Sequence, residues 1–376
     1  MRIQAKLLQI LAVLRPVHPA TQKHPERILI IKLDRIGDFV LSTSFLRELR
    51  RSKPGAWIVF VTSQIVSGLA LHCPYVDELV TVPTIQPGLR GQLTHWKDWC
   101  DIALGKLLPL RPSLAILPRW DVDLYDAFPL LALSGARKRI SYSVLVEPFK
   151  TTKNKGYDRF LTQAIRATSG RHEVEKNLGL LPSIGLSYEK TFLELWPVAD
   201  PWSLLRRLLP GREHHRLVAL CPLSAEEFKN WPLPSFLQVV ENFRKISSLT
   251  FILIVGPEYS GISEMAAVHA QTNLVSLAGK LSLDETAALL GRCELTITVD
   301  TGLMHIAAAR GCPLVVVSAL APGSQSDSRY SPDRFGPWQA DCTLLAPPND
   351  ASGPRQIDAV TVEEVTAAVT ARLIRA

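Results

Sequence analysis

Long apolar runs are missing from this chain of 376 residues, in which no stretch of 18 or more consecutive apolar residues occurs. A transmembrane helix needs about that many, so none is expected. A short apolar run at Leu11–Leu14 follows basic residues, but Arg15 and Pro16 end it and no small-residue cleavage site comes after it. A signal peptide is therefore not predicted.

Paired cysteine motifs are missing too. The six cysteines stand at positions 73, 100, 221, 293, 312 and 342, and no two of them have CxxC spacing. This spacing favours neither a metal site nor a disulfide framework. We expect buried free thiols in a reducing compartment, and hence a cytoplasmic protein.

Signatures of several binding classes are also absent. Neither half of the chain carries the three-glycine GxGxxG turn, which argues against an NAD-dependent dehydrogenase. No zinc finger, RRM signature or arginine-rich arm occurs, so nucleic acid is not the expected partner. The net charge of +7 instead favours acidic partners such as nucleotides, phosphorylated glycans or anionic lipid.

The chain does contain a repeated alternation of strand and helix patterns. Its length suits about two domains, and 47% hydrophobic residues suffice for a sizeable core. The alternation predicts an α/β protein with parallel sheets that are covered on both faces. Strands are predicted at Ile28–Leu33, Trp57–Thr62, Leu79–Val82, Leu114–Leu117, Arg139–Tyr142, Leu217–Cys221, Thr250–Val255, Leu274–Leu277, Leu295–Val299 and Pro313–Ser318. The proline-punctuated stretch Trp196–Pro201 predicts a boundary between domains of residues 1–195 and 196–376.

The first predicted strand leads into a charged turn and then a helix expected from Phe39 to about Arg51. Asp34, Arg35, Gly37 and Asp38 all fall at the carboxyl end of this strand, where ligands bind in open α/β sheets. A nearby arginine keeps a carboxylate ionised, and Asp38 could then accept a proton from a bound hydroxyl. The alternative is that Asp38 only caps the helix.

The most informative stretch of the second half is Leu295–Arg310, a β-branched strand that turns directly into an alanine-rich helix. Such a turn aims the unpaired N–H groups of the helix at the sheet edge and suits an anion. Asp300 lies in the turn, Thr301 is the predicted N-cap, Gly302 permits close approach, and His305 lies about one helical turn further on. An ordinary βα turn is the alternative reading.

Three other strands of the second half end in polar or small residues, at Ser224–Lys229, Gly256–Glu258 and Ala278–Gly279. Ends of neighbouring parallel strands converge, so these loops should build one pocket with the Asp300 turn. Its parts suit a nucleoside diphosphate, with Ser224 and Lys229 at the phosphates, Glu258 at the ribose and the small residues against a flat base.

Two basic segments have open interpretations. Residues 1–15 form one apolar helical face flanked by basic residues, which indicates either a helix on an anionic membrane or one packed on its own domain. Residues 83–112 carry Arg90, Trp96 and Trp99, and they either contact a sugar or phosphorylated acceptor or form a solvated surface helix.

Three motifs together resemble glycosyltransferase family 9, the heptosyltransferases of lipopolysaccharide core assembly. They are Lys32–Asp38 (KLDRIGD), His172–Asn177 (HEVEKN) and Asp300–His305 (DTGLMH). The likeness covers roughly residues 28–345, with the first and last motifs in the right order and at the right distance.

The resemblance implies a GT-B architecture of two facing Rossmann-like domains. The donor, typically ADP-heptose, would bind the C-terminal domain and the acceptor the N-terminal one. The implied reaction inverts the anomeric centre and uses neither a metal nor another cofactor.

The resemblance also implies residue roles. Asp38 matches the catalytic base, while Asp34, Arg35 and Gly37 are acceptor-side candidates. The donor-binding candidates are Ser224, Lys229, Gly256, Glu258, Ala278, Gly279, Asp300, Thr301, Gly302 and His305. One departure occurs: the family has two adjacent hydroxyl residues where this chain has Ser224 followed by Ala225.

The expected partners are therefore a nucleotide sugar and a phosphorylated or lipid-linked glycan acceptor, with peripheral contact at the cytoplasmic face of the inner membrane. Two alternatives stay open. The enzyme could transfer a hexose from another nucleotide sugar to a different surface glycan, or the chain could be a non-catalytic nucleotide-sugar-binding protein.

Overall fold

The computed structural model describes residues 26–84, 97–166, 170–259, 261, 273–323, 330–348 and 356–375. The predicted helix of residues 1–15 lies outside these ranges, as do Arg90 and Trp96 of the basic segment. Within the described ranges, no helix is both long enough and apolar enough to cross a membrane.

The chain divides into two compact units. One comprises Met1–Arg35 and Ser42–Thr191, and the other comprises Ile36–Leu41 and Phe192–Ala376. The main division therefore falls between Thr191 and Phe192, close to the predicted boundary after residue 195. The short segment Ile36–Leu41 belongs by its packing to the second unit, although it directly follows the first strand of the first.

The first unit is built on a six-stranded parallel sheet. Its strands are β1 (Arg27–Lys32), β2 (Trp57–Ser63), β3 (Glu78–Val82), β4 (Leu114–Leu117), β5 (Lys138–Tyr142) and β6 (Gln163–Ile165), in the order β3-β2-β1-β4-β5-β6. Its helices are Thr43–Ser52, Ser67–Ala70, Leu108–Leu110, Ala127–Leu133, Pro148–Lys153, Glu173–Leu178 and Leu180–Ser183, with a π-helix at Asp101–Leu107.

The second unit repeats this plan. Its strands are β7 (Arg216–Cys221), β8 (Leu249–Leu253), β9 (Leu274–Ser276), β10 (Leu295–Val299), β11 (Leu314–Val317) and β12 (Cys342–Leu345), in the parallel order β12-β11-β10-β7-β8-β9. Its helices are Ile36–Val40, Pro201–Leu208, Leu233–Asn242, Leu283–Leu290, Gly302–Ala309, Pro332–Phe335 and Val362–Arg375. The predicted α/β class with two parallel sheets is confirmed.

The strand order places a topological switch in each sheet, between β1 and β4 and between β7 and β10. The chain leaves these adjacent strands toward opposite sides, which opens a crevice at their carboxyl ends where ligands bind in such folds. The central strands are buried on both faces, since every residue of Ile28–Ile31 and of Leu295–Val299 is at most 1% exposed.

One local expectation was wrong, and two strands were missed. The helix predicted from Phe39 to Arg51 is two helices, Ile36–Val40 and Thr43–Ser52, because the chain turns at Leu41 and Ser42. The edge strands β6 and β12 were not predicted at all. They have only three and four residues, and so short a strand carries no readable alternation of apolar and polar residues.

Ser282 and Glu285 have the S-x-x-E spacing that predicts a capping box, as do Thr361 and Glu364 with T-x-x-E, and the structure confirms both boxes. Ser282 accepts from the Glu285 amide at 3.2 Å, while the Glu285 carboxylate accepts from the Ser282 amide at 2.8 Å. Thr361 and Glu364 make the same reciprocal pair, at 3.2 and 2.8 Å. These bonds satisfy helical N–H groups that otherwise have no partner, which fixes where the two helices begin.

Trp99, the described tryptophan of the basic 83–112 segment, is 1% exposed and packs in the core of the first unit with Ile102 and Leu107. Within the described residues, this tryptophan therefore serves packing and is not presented to a ligand.

All six cysteines are free thiols, as expected. Cys221, Cys293 and Cys312 are buried in the second unit, and burial raises the pKa of each thiol well above its ordinary value. They are small core residues rather than nucleophiles, because the reactive form of cysteine is the thiolate.

Lys150 is a fully buried cation of the first unit. Its side chain is 0% exposed, and Nζ donates to the carbonyl oxygens of Arg119, Trp120 and Tyr142 at 3.0, 3.1 and 3.0 Å. Nζ also lies 5.4 Å from the centre of the Phe128 ring. Lys150 thus ties the loop after β4 to the end of β5.

Lys150→Met should lower the free energy of unfolding by roughly 3 kcal/mol, because three buried carbonyl groups would lose their donor. Lys153→Met is a matched control on the same helix. Lys153 is exposed, so its change should stay within about 0.5 kcal/mol. Urea unfolding measures both. Equal stability of the two variants would contradict this role for Lys150.

The same residue should make stability depend on pH. Burial lowers the pKa of Lys150 from 10.5 to about 7. Between pH 7 and 10.5 the unfolded chain binds the proton and the folded protein does not, so stability rises with pH in this window. The unfolding free energy of the wild type, relative to Lys150→Met, should increase by roughly 2–3 kcal/mol from pH 6 to pH 9.

Candidate active site

The predicted site residues of the second unit gather at its topological switch. Lys229 follows β7 and Asp300 follows β10, and their Nζ and Oδ2 atoms are 2.6 Å apart. Their side chains are only 12% and 18% exposed. The pair therefore joins two loops that lie 71 residues apart in sequence, in the crevice where a ligand is expected.

A hydrogen-bond clamp shapes the loop after β7. The Asn230 side chain accepts from the Ser224 amide at 2.6 Å and donates to the Ser224 carbonyl at 3.1 Å. The Ser224 hydroxyl in turn accepts weakly from the Glu226 amide, at 3.5 Å. These bonds close the loop upon itself and place Lys229 at the end of a 3₁₀ turn, Glu227–Lys229. Asn230 was not among the predicted site residues.

The helix Gly302–Ala309 begins at the same place. Thr301 is its N-cap, as predicted, with extended backbone angles of −146° and 167°, and its hydroxyl makes no capping hydrogen bond. The first turn contains no acidic residue. The positive end of the helix dipole is therefore not neutralised from within the helix, which suits an anion next to Lys229.

Two glycines bring a second helix against this one. The short helix Ile36–Val40, which belongs to the second unit, packs on Gly302–Ala309. A Cβ added at Gly37 would lie 2.7 Å from Cδ2 of His305, and one added at Gly302 would lie 2.9 Å from Cβ of Ile36. The sequence predicts that a ligand approaches the backbone closely at Gly302, but in the structure Ile36 occupies the space where a Cβ of residue 302 would lie.

This packing fixes the surroundings of two predicted residues. His305 is 4% exposed, and its ring lies against the backbone of Gly37. Asp38 is half-buried on the short helix, one residue beyond Gly37. The predicted base therefore belongs to the same compact unit as the Asp300–His305 motif.

The remaining predicted donor residues lie at the ends of β8 and β9. Glu258 is exposed on a 3₁₀ turn, and its carboxylate fills the space that a Cβ at Gly256 would need. Ala278 is buried, and Gly279 has a φ of +68°, a conformation that favours glycine. The Gly279 amide donates to the Val255 carbonyl at 3.0 Å, which joins these two strand ends.

Asp34 has a different environment from that of Asp38. It is 3% exposed and forms an ion pair with Arg119, while the Nζ of Lys32 is 3.4 Å from its Oδ2. Lys32 also lies 4.0 Å from Glu173 and donates to the Pro118 carbonyl at 3.1 Å. Arg35 is exposed. Asp34 is therefore held inside a buried charge cluster at the switch between β1 and β4.

Sequence reasoning missed this cluster and the loop that follows β4. Asp126 has a left-handed backbone with φ of +58°, which is strained for a residue with a side chain. Burial, and then the neighbouring Asp123, raise its pKa to about 6. Asp126 is the N-cap of the helix Ala127–Leu133, and backbone strain together with a raised carboxyl pKa is often found at functional sites. The signal was available as the acidic run RWDVDLYD directly after a predicted strand.

Within the described ranges, no three His, Cys, Asp or Glu side chains are placed to share a metal ion.

Gly37→Ala should destabilise the protein by about 1–3 kcal/mol, because the new methyl group must displace the buried His305 ring or shift the short helix. Gly68→Ala is the matched control. Its Cβ would meet nothing within 4 Å, so it should be neutral or slightly stabilising. Urea unfolding compares the two variants, and wild-type stability of Gly37→Ala would contradict the packing described above.

Comparison with known proteins gives a matching family and similar sequences. The family model described as glycosyltransferase family 9 (heptosyltransferase) matches residues 143–343. Lipooligosaccharide heptosyltransferase 2 of Haemophilus ducreyi is 27% identical over 318 residues, which cover 81% of this chain and 85% of that protein.

Two solved structures share the fold. The glycosyl transferase family 9 structure from Veillonella parvula superimposes with a TM-score of 0.74 at 20% identity, covering 95% of this chain and 99% of that one. The E. coli ADP-heptose LPS heptosyltransferase II gives 0.69 at 18% identity, covering 93% and 99%. The predicted GT-B class is confirmed.

Proposed function

Because the chain belongs to glycosyltransferase family 9, the heptosyltransferases, we propose that it transfers heptose from ADP-heptose to a lipopolysaccharide-type glycan acceptor. The names of the similar proteins support this donor and this acceptor class. The observation that carries the proposal is the Lys229–Asp300 pair beside the start of the Gly302–Ala309 helix. A cation and a helix N-terminus in one crevice suit a diphosphate.

The proposed reaction is a single displacement that inverts the anomeric centre. Asp38 takes the proton of an acceptor hydroxyl while that oxygen bonds to the anomeric carbon of the donor. The bond from this carbon to the diphosphate oxygen breaks, and ADP leaves with the electron pair. General-base assistance of this kind contributes about 10²–10⁴-fold in rate.

Negative charge develops on the leaving diphosphate, and in the proposed site protein groups stabilise this charge without a metal ion. Lys229, the Ser224 hydroxyl and the N–H groups of the first turn after Thr301 supply a cation and oriented donors. Such preorganised groups stabilise charge where it appears in the transition state. Asp300 holds the Lys229 ammonium in the crevice, and His305 supports the turn from its buried position.

The nucleoside would extend along the sheet toward β8 and β9. We assign the exposed Glu258 carboxylate to the ribose hydroxyls, and the exposed backbone of Gly279, beside the buried Ala278, to the adenine. Gly256 leaves room for the Glu258 side chain.

On the acceptor side, Arg35 is exposed and suits a phosphate or carboxylate of the glycan. Asp34 would act indirectly, because its pairing with Arg119 steadies the turn that leads to Gly37 and Asp38. A lipid-linked acceptor would also bring the protein to the cytoplasmic face of the inner membrane, with residues 1–15 as the proposed contact.

A second candidate keeps the reaction but changes the donor to another nucleotide hexose. The observation that favours it is Ala225, which replaces the second hydroxyl of the family pattern. Ala225 lies in the loop after β7 that the proposal assigns to the donor, so this loop departs from the family pattern where the donor would bind.

Asp38→Asn should lower kcat about 10²–10⁴-fold with ADP-heptose and a heptose-accepting lipopolysaccharide core, because the amide cannot take the proton. The Kd for ADP should stay within about twofold. Asp101→Asn, a change at an exposed carboxylate of the first unit, should leave kcat unchanged. Near-wild-type turnover by Asp38→Asn would contradict the role of Asp38 as the general base. Loss of wild-type turnover on adding EDTA would contradict catalysis without a metal ion.

Calorimetric titration with ADP-heptose and with a panel of nucleotide hexoses, ADP-linked ones included, discriminates the two donors. The proposed function predicts that ADP-heptose binds at least about tenfold more tightly than any nucleotide hexose of the panel. Tighter binding of a nucleotide hexose would instead support the hexose alternative. Failure of every authentic nucleotide sugar to react, despite tight binding, would indicate a non-catalytic binding protein.

A further inference from the structure

Tyr330 contacts the same Lys229 ammonium that pairs with Asp300. The Nζ of Lys229 is 4.8 Å from the centre of the Tyr330 ring, a distance at which a cation is attracted to the ring face. The same ring meets the Phe228 ring edge-on, with centres 5.0 Å apart and planes at 76°. Tyr330 therefore contacts two consecutive residues of the loop after β7.

The backbone next to Tyr330 is firmly anchored. Ser331 is 0% exposed and caps the helix Pro332–Phe335 by accepting from the Asp333 amide at 3.2 Å. Arg334 is 1% exposed, with its guanidinium 4.5 Å from the centre of the Phe335 ring. The Asp333 carboxylate accepts from the Gly323 amide at 2.8 Å. The ring is thus presented from a buried turn.

We propose that Tyr330 is a positioning residue for the donor diphosphate, holding the Lys229 ammonium in the crevice by the face of its aromatic ring. This inference rests on the proposed function, because it takes Lys229 as the cation that binds the diphosphate.

The charge of the diphosphate explains why an aromatic ring, and not a second carboxylate, would hold the Lys229 ammonium. Lys229 already pairs with Asp300, and a further carboxylate beside it would repel an incoming diphosphate. An aromatic face attracts the ammonium without adding net negative charge. Lysine also loses considerable rotamer freedom when its ammonium is fixed, and a ring that already holds the side chain removes much of that cost at binding.

This mechanism depends on the ring and not on the phenolic hydroxyl. Tyr330→Phe should therefore keep the Kd for ADP within about twofold. Tyr330→Leu should raise that Kd about 5–10-fold, since leucine fills space but has no ring quadrupole. Tyr330→Met, with a flexible apolar side chain, should give the same loss and guards against a folding defect peculiar to leucine.

The experiment is a double-mutant cycle, measured by calorimetry at low ionic strength with ADP and separately with inorganic pyrophosphate. In the Lys229→Met background, Tyr330→Leu should change neither Kd by more than about twofold, because the cation that the ring holds is gone. Trp202→Leu is the control, since Trp202 contacts Arg292 at 4.4 Å in the same unit and is not part of the proposed site. It should leave both dissociation constants unchanged.

Unchanged binding by Tyr330→Leu would overturn the inference, as would the same loss in the Lys229→Met background as in the wild type. A wild-type protein that binds pyrophosphate but not ADP would contradict the proposed donor alone, and the pyrophosphate cycle would still decide the role of Tyr330. A wild-type protein that binds neither ligand would overturn both.

Discussion

The ion pair between Lys229 and Asp300 is the interaction on which the candidate site depends. Each residue stands just beyond a central strand of the second sheet, and the strand order makes those strands neighbours. Desolvation makes such a pair costly if either partner is lost. Within the described residues, the Asn230 clamp, the Tyr330 ring and the start of the Gly302–Ala309 helix are all arranged around it.

The charged residues at the topological switches of the two sheets are arranged differently. At the switch of the first sheet, charges are buried against each other, with Lys32, Asp34, Arg119 and Glu173 in one cluster. At the switch of the second, Lys229 and Asp300 keep part of their surface open and the helix start carries no acid. The buried cluster of the first sheet favours a rigid turn. The residues at the switch of the second sheet leave a positive potential that can attract an anionic ligand.

Much of the fold and of the candidate site could be predicted from the sequence, because strong local patterns occur where the fold is most regular. The Leu295–Val299 strand and its turn into a helix were predicted closely, since its β-branched residues favour a strand. The break at Leu41 and Ser42 and the left-handed Asp126 were not predicted. The helix before the break packs on Gly302–Ala309, a segment distant in sequence, and no local pattern records such packing. The roles of the predicted site residues remain proposals.

The packing of Gly37 on His305 has a consequence for how this enzyme can be recombined. The chain enters the second unit at Ile36, leaves it after Leu41, and returns only at Phe192. A chimera that exchanged residues 1–191 with a relative would therefore import a foreign helix against a resident Gly302–His305 surface. A chimera that transfers catalytic specificity between such proteins should therefore exchange Ile36–Leu41 together with Gly302–His305. The two segments act as one structural module, although they are far apart in the sequence.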